Sequence, residues 1–153
     1  MILCRVQGKC IGGGVGIAAA ADYTVGTAQA AVKLSELAVR YHLSQISAVE
    51  RKTGKGGFCN CRYMQQPSNQ QLGRGKGLYA EVFETINEAD SHLADLANTL
   101  ATSSPDAMQA LKQVSWEGTE HWDTLLAERA AVSGRLVLTD FAKNAIHAFK
   151  SKK

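Results

Sequence analysis

No apolar run in this 153-residue sequence reaches the roughly 18 residues that a membrane-spanning helix needs. The first residues, Met1 to Arg5, also lack the charged region and the cleavage pattern of a secretory signal peptide. The net charge is only +3, and lysine and arginine are scattered except at Lys150, Lys152 and Lys153, so the sequence carries no nucleic-acid footprint. We therefore expect a cytoplasmic protein that binds neither membranes nor nucleic acids.

The four cysteines do not have the spacing of a zinc site. A structural zinc site uses cysteine pairs separated by about two to four residues, or histidines at a matching spacing. Cys59 and Cys61 have one residue between them, and Cys4 and Cys10 have five. We expect free thiols and no bound metal.

The composition favours a folded globular domain. Hydrophobic residues make up 45% of the chain and charged residues 20%, a balance that can bury a core. The length suits one domain, and no internal repeat is evident.

The first part of the chain, residues 2–39, is rich in glycine and small apolar residues. Residues 2–6 and 23–25 read as strands, and residues 15–21 as a short helix whose alanines allow close packing. Residues 40–77 lack both helical and strand periodicity. We predict that this second part is mostly loop, with a short helix near residues 48–52.

From Leu78 onward the sequence predicts helices. Thr85 and Glu88 form a capping-box pattern ahead of an apolar stripe, and Ser104 followed by Pro105 predicts another helix start. The predicted helices cover residues 89–100, 107–116, 119–133 and the segment after Thr139. The third is predicted to end near Gly134. The last is predicted to pack one side of its surface, formed by Phe141, Ala145, Ile146 and Phe149. The architecture is therefore a small α/β portion followed by a helical region.

Three consecutive glycines, Gly12, Gly13 and Gly14, precede the short helix. An ordered glycine costs about 0.5–1 kcal/mol relative to alanine, so such a run indicates that something approaches the backbone closely. The candidates are a phosphate, an oxygen that gains negative charge during a reaction, or another strand.

Two phosphate-binding motifs fit this run poorly. No G-x-x-x-x-G-K-[ST] motif is present, which excludes a P-loop. Gly14, Gly16 and Ala19 match the dinucleotide-binding pattern, and Glu36 follows Gly16 by 20 residues. In that pattern, however, the acidic residue stands at the end of the second strand. Here residues 26–28, Gly-Thr-Ala, occupy that place. An oxyanion hole fits better, because N–H groups at a helix N-terminus can stabilise a developing negative charge and Glu36 can supply a carboxylate for proton transfer.

The stretch VQGKCIGGGVGIAAAADYTVGTAQAAVKLSEL resembles the enoyl-CoA hydratase/isomerase (crotonase) family, in which a strand ends in a glycine-rich oxyanion loop and a later strand closes on a catalytic glutamate. LATSSPDAMQALKQ and LLAERAAVSGRLVLTDFAKNAIHAFKSKK resemble the last helices of that family. The resemblance implies a crotonase-like α/β fold in residues 1–77 and a helical, oligomerising region in residues 78–153. It also implies that this chain corresponds to the C-terminal half of the family's fold, with the other half preceding Met1.

The same resemblance implies a site and a substrate. The Gly13 N–H would donate to the carbonyl oxygen of an acyl-CoA thioester, and Glu36 would move a proton or position a water. The remaining candidate substrate-binding residues are Gly12, Gly14, Phe149 and Lys152. No cofactor is implied, since coenzyme A is part of the substrate. The family assembles as trimers or dimers of trimers, and we expect a homo-oligomer here.

Departures from the family pattern leave alternatives open. Many hydratases of the family carry a second glutamate at the position of Gly16, so a one-base double-bond shift rivals hydration. Residues 40–47 and 58–74 do not follow the family pattern. A shifted reading frame would explain this difference, and so would divergent loops. Gly13 could serve only close packing, and Glu36 could be a solvated carboxylate. A non-catalytic fragment that keeps only the association helices is therefore the alternative to an enzyme.

Overall fold

The computed structural model of the protein describes residues 1–33, 46–63, 75 and 77–151. Its strands and helices are, in chain order, β1 (Leu3–Val6), β2 (Lys9–Ile11), α1 (Gly13–Ala20), β3 (Tyr23–Thr27), β4 (Ala31–Lys33), α2 (Ile46–Tyr63), β5 (Glu81–Phe83), α3 (Ile86–Ala101), α4 (Pro105–Ser115), α5 (Trp122–Val137) and α6 (Asp140–Lys150). None of the helices in these ranges is both long enough and apolar enough to cross a membrane.

The described strands form two parallel sheets, and the chain alternates between them. β1, β3 and β5 form one sheet in the order β1-β3-β5, and β2 pairs with β4 in the other. Two parallel strands that lie side by side need a crossover connection. Between β1 and β3 this connection consists of β2 and α1, and between β2 and β4 it consists of α1 and β3. This alternation produces the predicted α/β spiral. The division of the chain at residue 77 stays a prediction, and β5, which follows it, pairs with β3.

Helix α1 lies at the centre of the core because its side chains are small. Val15, Ala18 and Ala19 are buried and pack with residues of both sheets and of α2. Tyr79 lies across β3 at Gly26, where a Cβ atom would come within 2.7 Å of the tyrosine ring. A glycine is therefore required at that point of β3.

The predicted strands and the predicted first helix are confirmed, with shifts of one or two residues at their ends. Helix α1 begins at Gly13, two residues before the predicted start at Val15, because the glycines themselves form its first turn. β2, β4 and β5 were not predicted from the residue pattern, although the family resemblance implied a strand before the glycine run and another before Glu36. Each has three residues, too few to show an alternating pattern.

The prediction of loop for most of residues 40–77 was wrong for the described part. Residues 46–63 form α2, far longer than the predicted helix at 48–52, with a break at Gly54 (φ 71°, ψ 163°). Tertiary contacts hold this helix: Val49 is buried, and the Lys52 ammonium group donates to the Ala21 carbonyl oxygen at 2.6 Å. A local sequence pattern does not record such contacts. Residues 34–45, 64–74 and 76 lie outside the described residues.

The helix starts predicted at Thr85, Ser104 and Thr139 are confirmed by their caps. The Thr85 hydroxyl accepts the Glu88 N–H at 3.2 Å, and the Glu88 carboxylate accepts the Thr85 N–H at 3.1 Å. Ser104 caps α4 by accepting the Ala107 N–H at 3.4 Å. These bonds satisfy N–H groups that have no partner within their helices.

Helix α5 was predicted wrongly at both ends. It begins at Trp122 and not at Thr119, and its N-cap residue, His121, makes no side-chain cap hydrogen bond. Helix α5 does not end near Gly134 but continues to Val137, because Gly134 does not adopt the positive φ that would terminate it. Phe141, which was predicted to pack on one side of α6, is 59% exposed, whereas Ala142 beside it is fully buried.

Asp22, which follows α1, connects three parts of the fold. Its carboxylate is 7% exposed and accepts the Ile2 N–H at 2.6 Å and the Lys112 ammonium group at 3.0 Å. The Trp116 indole N–H adds a third contact at 3.4 Å. Burial alone would raise the pKa of Asp22, but these hydrogen bonds and the charge of Lys112 together hold it below its usual value. The carboxylate thus ties α4 to β1 and to the end of α1.

We expect Asp22→Asn to lower the free energy of unfolding by about 2 kcal/mol, because charged hydrogen bonds are replaced by weaker ones. Urea unfolding at neutral pH measures this. Asp95→Asn, at an exposed position of α3, is the matched control and should change the free energy little.

The pH dependence provides a second test of Asp22. A carboxyl group whose pKa is lower in the folded state than its unfolded value of about 3.9 stabilises the fold above about pH 5 and loses that effect as the pH falls through the folded pKa. The wild type should therefore lose more stability than Asp22→Asn between neutral pH and pH about 3. Equal losses would contradict the assigned role.

Gly12 connects β2 to α1 in a single residue. Its backbone has φ 55° and ψ −121°, a conformation that favours glycine. The Gly12 N–H donates to the Lys33 carbonyl oxygen at 3.0 Å, and the Gly12 carbonyl oxygen accepts the Val15 N–H at 3.0 Å. The turn is thereby attached to the end of β4.

We expect Gly12→Ala to destabilise the fold by about 1–3 kcal/mol, because a Cβ atom strains this positive-φ backbone. Gly8→Ala is the control, since φ at Gly8 is not positive and its added methyl group would meet no atom within 4 Å. Thermal and urea unfolding of both variants compare the two positions. Equal effects would show that the backbone of Gly12 is not the cause.

Candidate active site

The first turn of α1 presents backbone donors that have no acceptor among the described residues. The first N–H groups of a helix have no acceptor within the helix and carry its partial positive charge. Within the described part of the chain, the Val15 N–H bonds to Gly12, whereas no acceptor is found for the N–H of Gly13 or Gly14. An oxygen that gains negative charge can bind at this point.

An apolar groove of about 580 Å³ borders this turn. We call it the α1–α5 groove. Its described lining consists of Gly13, Gly16, Ile17 and Ala20 from α1, Ala48 from α2, and Trp122, Leu126 and Ala130 from α5. None of these side chains is charged, so the groove offers backbone donors at one point and hydrocarbon elsewhere.

Helical spacing explains why these residues meet. Residues three and four apart lie on the same face of a helix. Gly13, Gly16 and Ala20 therefore share a face of α1, and Trp122 shares a face of α5 with Ala130 through the intervening Leu126. The two faces form opposite walls of the groove.

Aromatic contacts fix the position of Trp122. Its ring meets that of Trp116 edge-on, with the centroids 5.8 Å apart. The Arg51 guanidinium lies 4.2 Å from the centroid of Trp116 and donates to the Ser115 carbonyl oxygen at 3.0 Å. The start of α5 is therefore held against α2 and α4.

The described thiols are not suited to nucleophilic catalysis. Burial raises the pKa of Cys10 to about 11, and it also raises the pKa of Cys4. Both are therefore protonated at neutral pH, and a thiol reacts as its thiolate. The side chains of Cys59 and Cys61 lie outside the described residues. Among the described residues, no group of three or more His, Cys, Asp or Glu side chains could hold a metal ion.

The structure brings together only some of the predicted site residues. Gly12, Gly13 and Gly14 form the turn and the start of α1. Glu36 and Lys152 lie outside the described residues. Phe149 belongs to α6, but its side chain is also outside them.

Gly16 has a place in the groove that the sequence did not reveal. It lies one turn after Gly13 and lines the same groove, so the position where the family resemblance leads one to expect a second glutamate is here part of an uncharged wall. Sequence reasoning missed the opposite wall, formed by Trp122, Leu126 and Ala130. Their i, i+4, i+8 spacing was visible, but not the helix that they face.

Solved structures of known proteins share this fold. An enoyl-CoA hydratase/isomerase from Pseudoalteromonas atlantica T6c matches with a TM-score of 0.86 and 16% identity, over 97% of this chain and 61% of that chain. An enoyl-CoA hydratase from Bacillus halodurans matches with a TM-score of 0.85 and 16% identity, over 95% of this chain and 59% of that chain. A carnitinyl-CoA dehydratase from Mycobacterium avium 104 matches with a TM-score of 0.77 and 25% identity, over 95% and 59%.

This chain therefore spans about three fifths of the length of these structures. Among curated proteins, no match to it was found. The likeness to the solved structures supports the expected crotonase-like α/β fold. The family model described as enoyl-CoA hydratase/isomerase matches residues 1–153, and it does not bear out the expectation that the chain corresponds only to the C-terminal half of the family's fold. The chain belongs to the enoyl-CoA hydratase/isomerase family.

Proposed function

We propose that this protein acts on an enoyl-CoA thioester, adding water to it or shifting its double bond, through an enolate whose oxygen is held by the Gly13 N–H. The observation that carries this proposal is the N–H of Gly13, which has no acceptor among the described residues and lies at an apolar groove. Negative charge moves onto the thioester oxygen as the enolate forms. Fixed N–H dipoles stabilise that charge without the reorganisation that water would need.

Glu36 is the proposed acid–base residue. It follows Lys33 by three residues, and the Lys33 carbonyl oxygen accepts the Gly12 N–H at 3.0 Å. Consecutive Cα atoms are about 3.8 Å apart, so the chain allows Glu36 to reach the groove. Its carboxylate can take a proton from the carbon next to the thioester and return it two carbons further along, which shifts the double bond.

Hydration uses the same enolate in another order. Water adds at the third carbon, its proton passes to the base, and the second carbon is protonated as the enolate collapses. The described lining of the groove holds no second carboxylate, since position 16 is glycine. This absence of a second base along the described wall favours the double-bond shift over hydration.

We expect Glu36→Gln to lower turnover of an enoyl-CoA by about 10²–10⁴-fold, because the amide cannot accept the proton. Glu84→Gln, at an exposed position, should keep full activity. Loss of the enoyl thioester absorbance measures hydration, and labelled oxygen from solvent water identifies it. Unchanged turnover in Glu36→Gln would overturn the assignment of the base, whereas a wild type inactive on all enoyl-CoAs would favour the non-catalytic fragment.

We expect Gly13→Pro to lower kcat by about 10²–10³-fold, because proline removes the N–H that would hold the enolate oxygen. Proline is tolerated at the first position of a helix, which Gly13 occupies. Gly13→Ala adds bulk at the same place but keeps the N–H, so it should lose much less activity. Similar losses in the two variants, at similar melting temperatures, would show that the donor is not used.

The remaining expectations extend this proposal. Phe149 and Lys152 are proposed to contact coenzyme A, and no cofactor is needed. Exposed apolar side chains on α4 and α6, including Val114 and Phe141, support association with further copies, and a trimer or a dimer of trimers is proposed. The cytoplasmic location stays a prediction.

A further inference from the structure

We infer that a second cavity, between α2, α5 and the turn that joins α4 to α5, binds a phosphate monoester at a place separate from the acyl-CoA site. We call this cavity the α2–α5 pocket. Its volume is about 580 Å³, which is that of a small-molecule site. The described lining includes three basic side chains, Arg51, Lys55 and Arg129, and two hydroxyl groups, those of Ser47 and Thr119.

The two arginines of the pocket are held in place by neutral groups. Arg129 of α5 donates to the hydroxyl group of Ser47, a buried residue of α2. Arg51 donates to the Ser115 carbonyl oxygen at 3.0 Å, and its guanidinium lies 4.2 Å from the centroid of the Trp116 ring. Because these partners carry no charge, they fix the two guanidinium groups without neutralising them.

The guanidinium groups also have more N–H donors than these contacts use. The Nε atom of Arg51 is buried and has no acceptor among the described residues. Phosphate carries several acceptor oxygens, and arginine binds it through parallel N–H donors with a specificity that lysine lacks. A phosphate group in the pocket would therefore supply acceptors to groups that are already in position.

Lys55 adds a third positive charge at the break in α2. Gly54 interrupts the helix with φ 71°, and Lys55 is the first residue after the break. The start of a helical segment carries partial positive charge, which favours phosphate. A Cβ atom at Gly54 would meet no described atom within 4 Å, so a ligand can approach the backbone there.

Two carboxylates, Glu50 and Glu117, line the same pocket. Neither lies within ion-pair distance of a described lysine or arginine. Three basic side chains against two acidic ones give the described lining a charge of +1 when His121 is neutral. The carboxylates therefore weaken the binding of an anion without cancelling it, and removing one of them should strengthen that binding.

The size of the pocket favours a phosphate ester over free phosphate. An inorganic phosphate ion fills only a small part of the volume of about 580 Å³. Trp122 and Leu125 add apolar surface to the lining. The organic group of a monoester can pack against these two side chains while its phosphate meets the arginines.

The pocket is separate from the proposed acyl-CoA site. Trp122 is the one described residue that lines both the pocket and the α1–α5 groove. The proposed coenzyme A contacts are Phe149 of α6 and Lys152 after it, and no described residue of α6 lines the pocket. The inference therefore goes beyond the proposed function and does not rest on it.

The first experiment titrates the full chain with adenosine 5′-monophosphate, glycerol 3-phosphate, inorganic phosphate, adenosine and glycerol. Calorimetry measures affinity, and tryptophan fluorescence locates the binding, because Trp122 lines the pocket and Trp116 is the chain's other tryptophan. At least one monoester should bind about tenfold more tightly than inorganic phosphate, since its organic group adds contacts. The tighter monoester identifies that group as an aromatic base or a polyol. Binding of adenosine or glycerol as tight as that of its phosphate, or binding of neither monoester, would overturn the inference.

The second experiment uses charge variants. Arg129→Gln should weaken the monoester about tenfold or more, because a charged hydrogen bond is lost. Since Arg129 also holds Ser47, Lys55→Gln, at an exposed position, is the second variant and should weaken it about threefold. Glu50→Gln should tighten it by a similar factor, and Arg135→Gln, on α5 outside the pocket, should change nothing. Unchanged affinity in both Arg129→Gln and Lys55→Gln, at wild-type melting temperatures, would overturn the site.

The third experiment tests whether the two sites are separate. Saturating butyryl-CoA should leave the affinity for the monoester unchanged. Displacement of the monoester would assign the pocket to the acyl-CoA site and overturn the inference. Monoester binding that is weakened in Lys55→Gln, in a protein that turns over no enoyl-CoA, would support the pocket and overturn only the proposed function.

Discussion

Gly12 turns the chain from β2 into α1 within one residue, and the position of the candidate site follows from that turn. Its positive φ ends the strand, its N–H is bonded to the end of β4, and its carbonyl oxygen takes the N–H of Val15. The N–H groups of Gly13 and Gly14 are then the ones left without an acceptor in the described chain. A residue with a side chain would strain the backbone at the place where the donors must be fixed.

The other end of α1 is held by electrostatics. Asp22 follows the helix and binds the β1 end of the chain through Ile2 and α4 through Lys112 and Trp116. Lys52 of α2 donates to the carbonyl oxygens of Ala21 and Asp22. Helix α1 is thus fixed at both ends, which keeps one wall of the groove in place while the helical region supplies the other.

Local physics explains what the sequence could predict. Strands β1 and β3, the caps at Thr85, Ser104 and Thr139, and the glycine turn all depend on residues close together in sequence, and the structure has each of them. The family was predicted from the same stretches, and the family match confirms it.

The features that escaped prediction depend on distant contacts. Helix α2 is stabilised by packing against α1, and the three-residue strands exist only because a partner strand lies beside them. Trp122, Leu126 and Ala130 line the groove because α5 faces α1, and this contact cannot be read from the sequence of α5 alone. Glu36 was predicted from its place in the sequence and from the resemblance, and Lys152 from the resemblance alone; both stay predictions.

The central claim is that this chain stabilises a thioester enolate, and hydrogen exchange tests it most directly. A saturated acyl-CoA is incubated with the protein in deuterated water, and proton NMR follows the signal of the hydrogens next to the thioester carbonyl. The account predicts that the protein accelerates loss of that signal and that Glu36→Gln abolishes the acceleration. Exchange by the wild-type protein no faster than in buffer alone would contradict it.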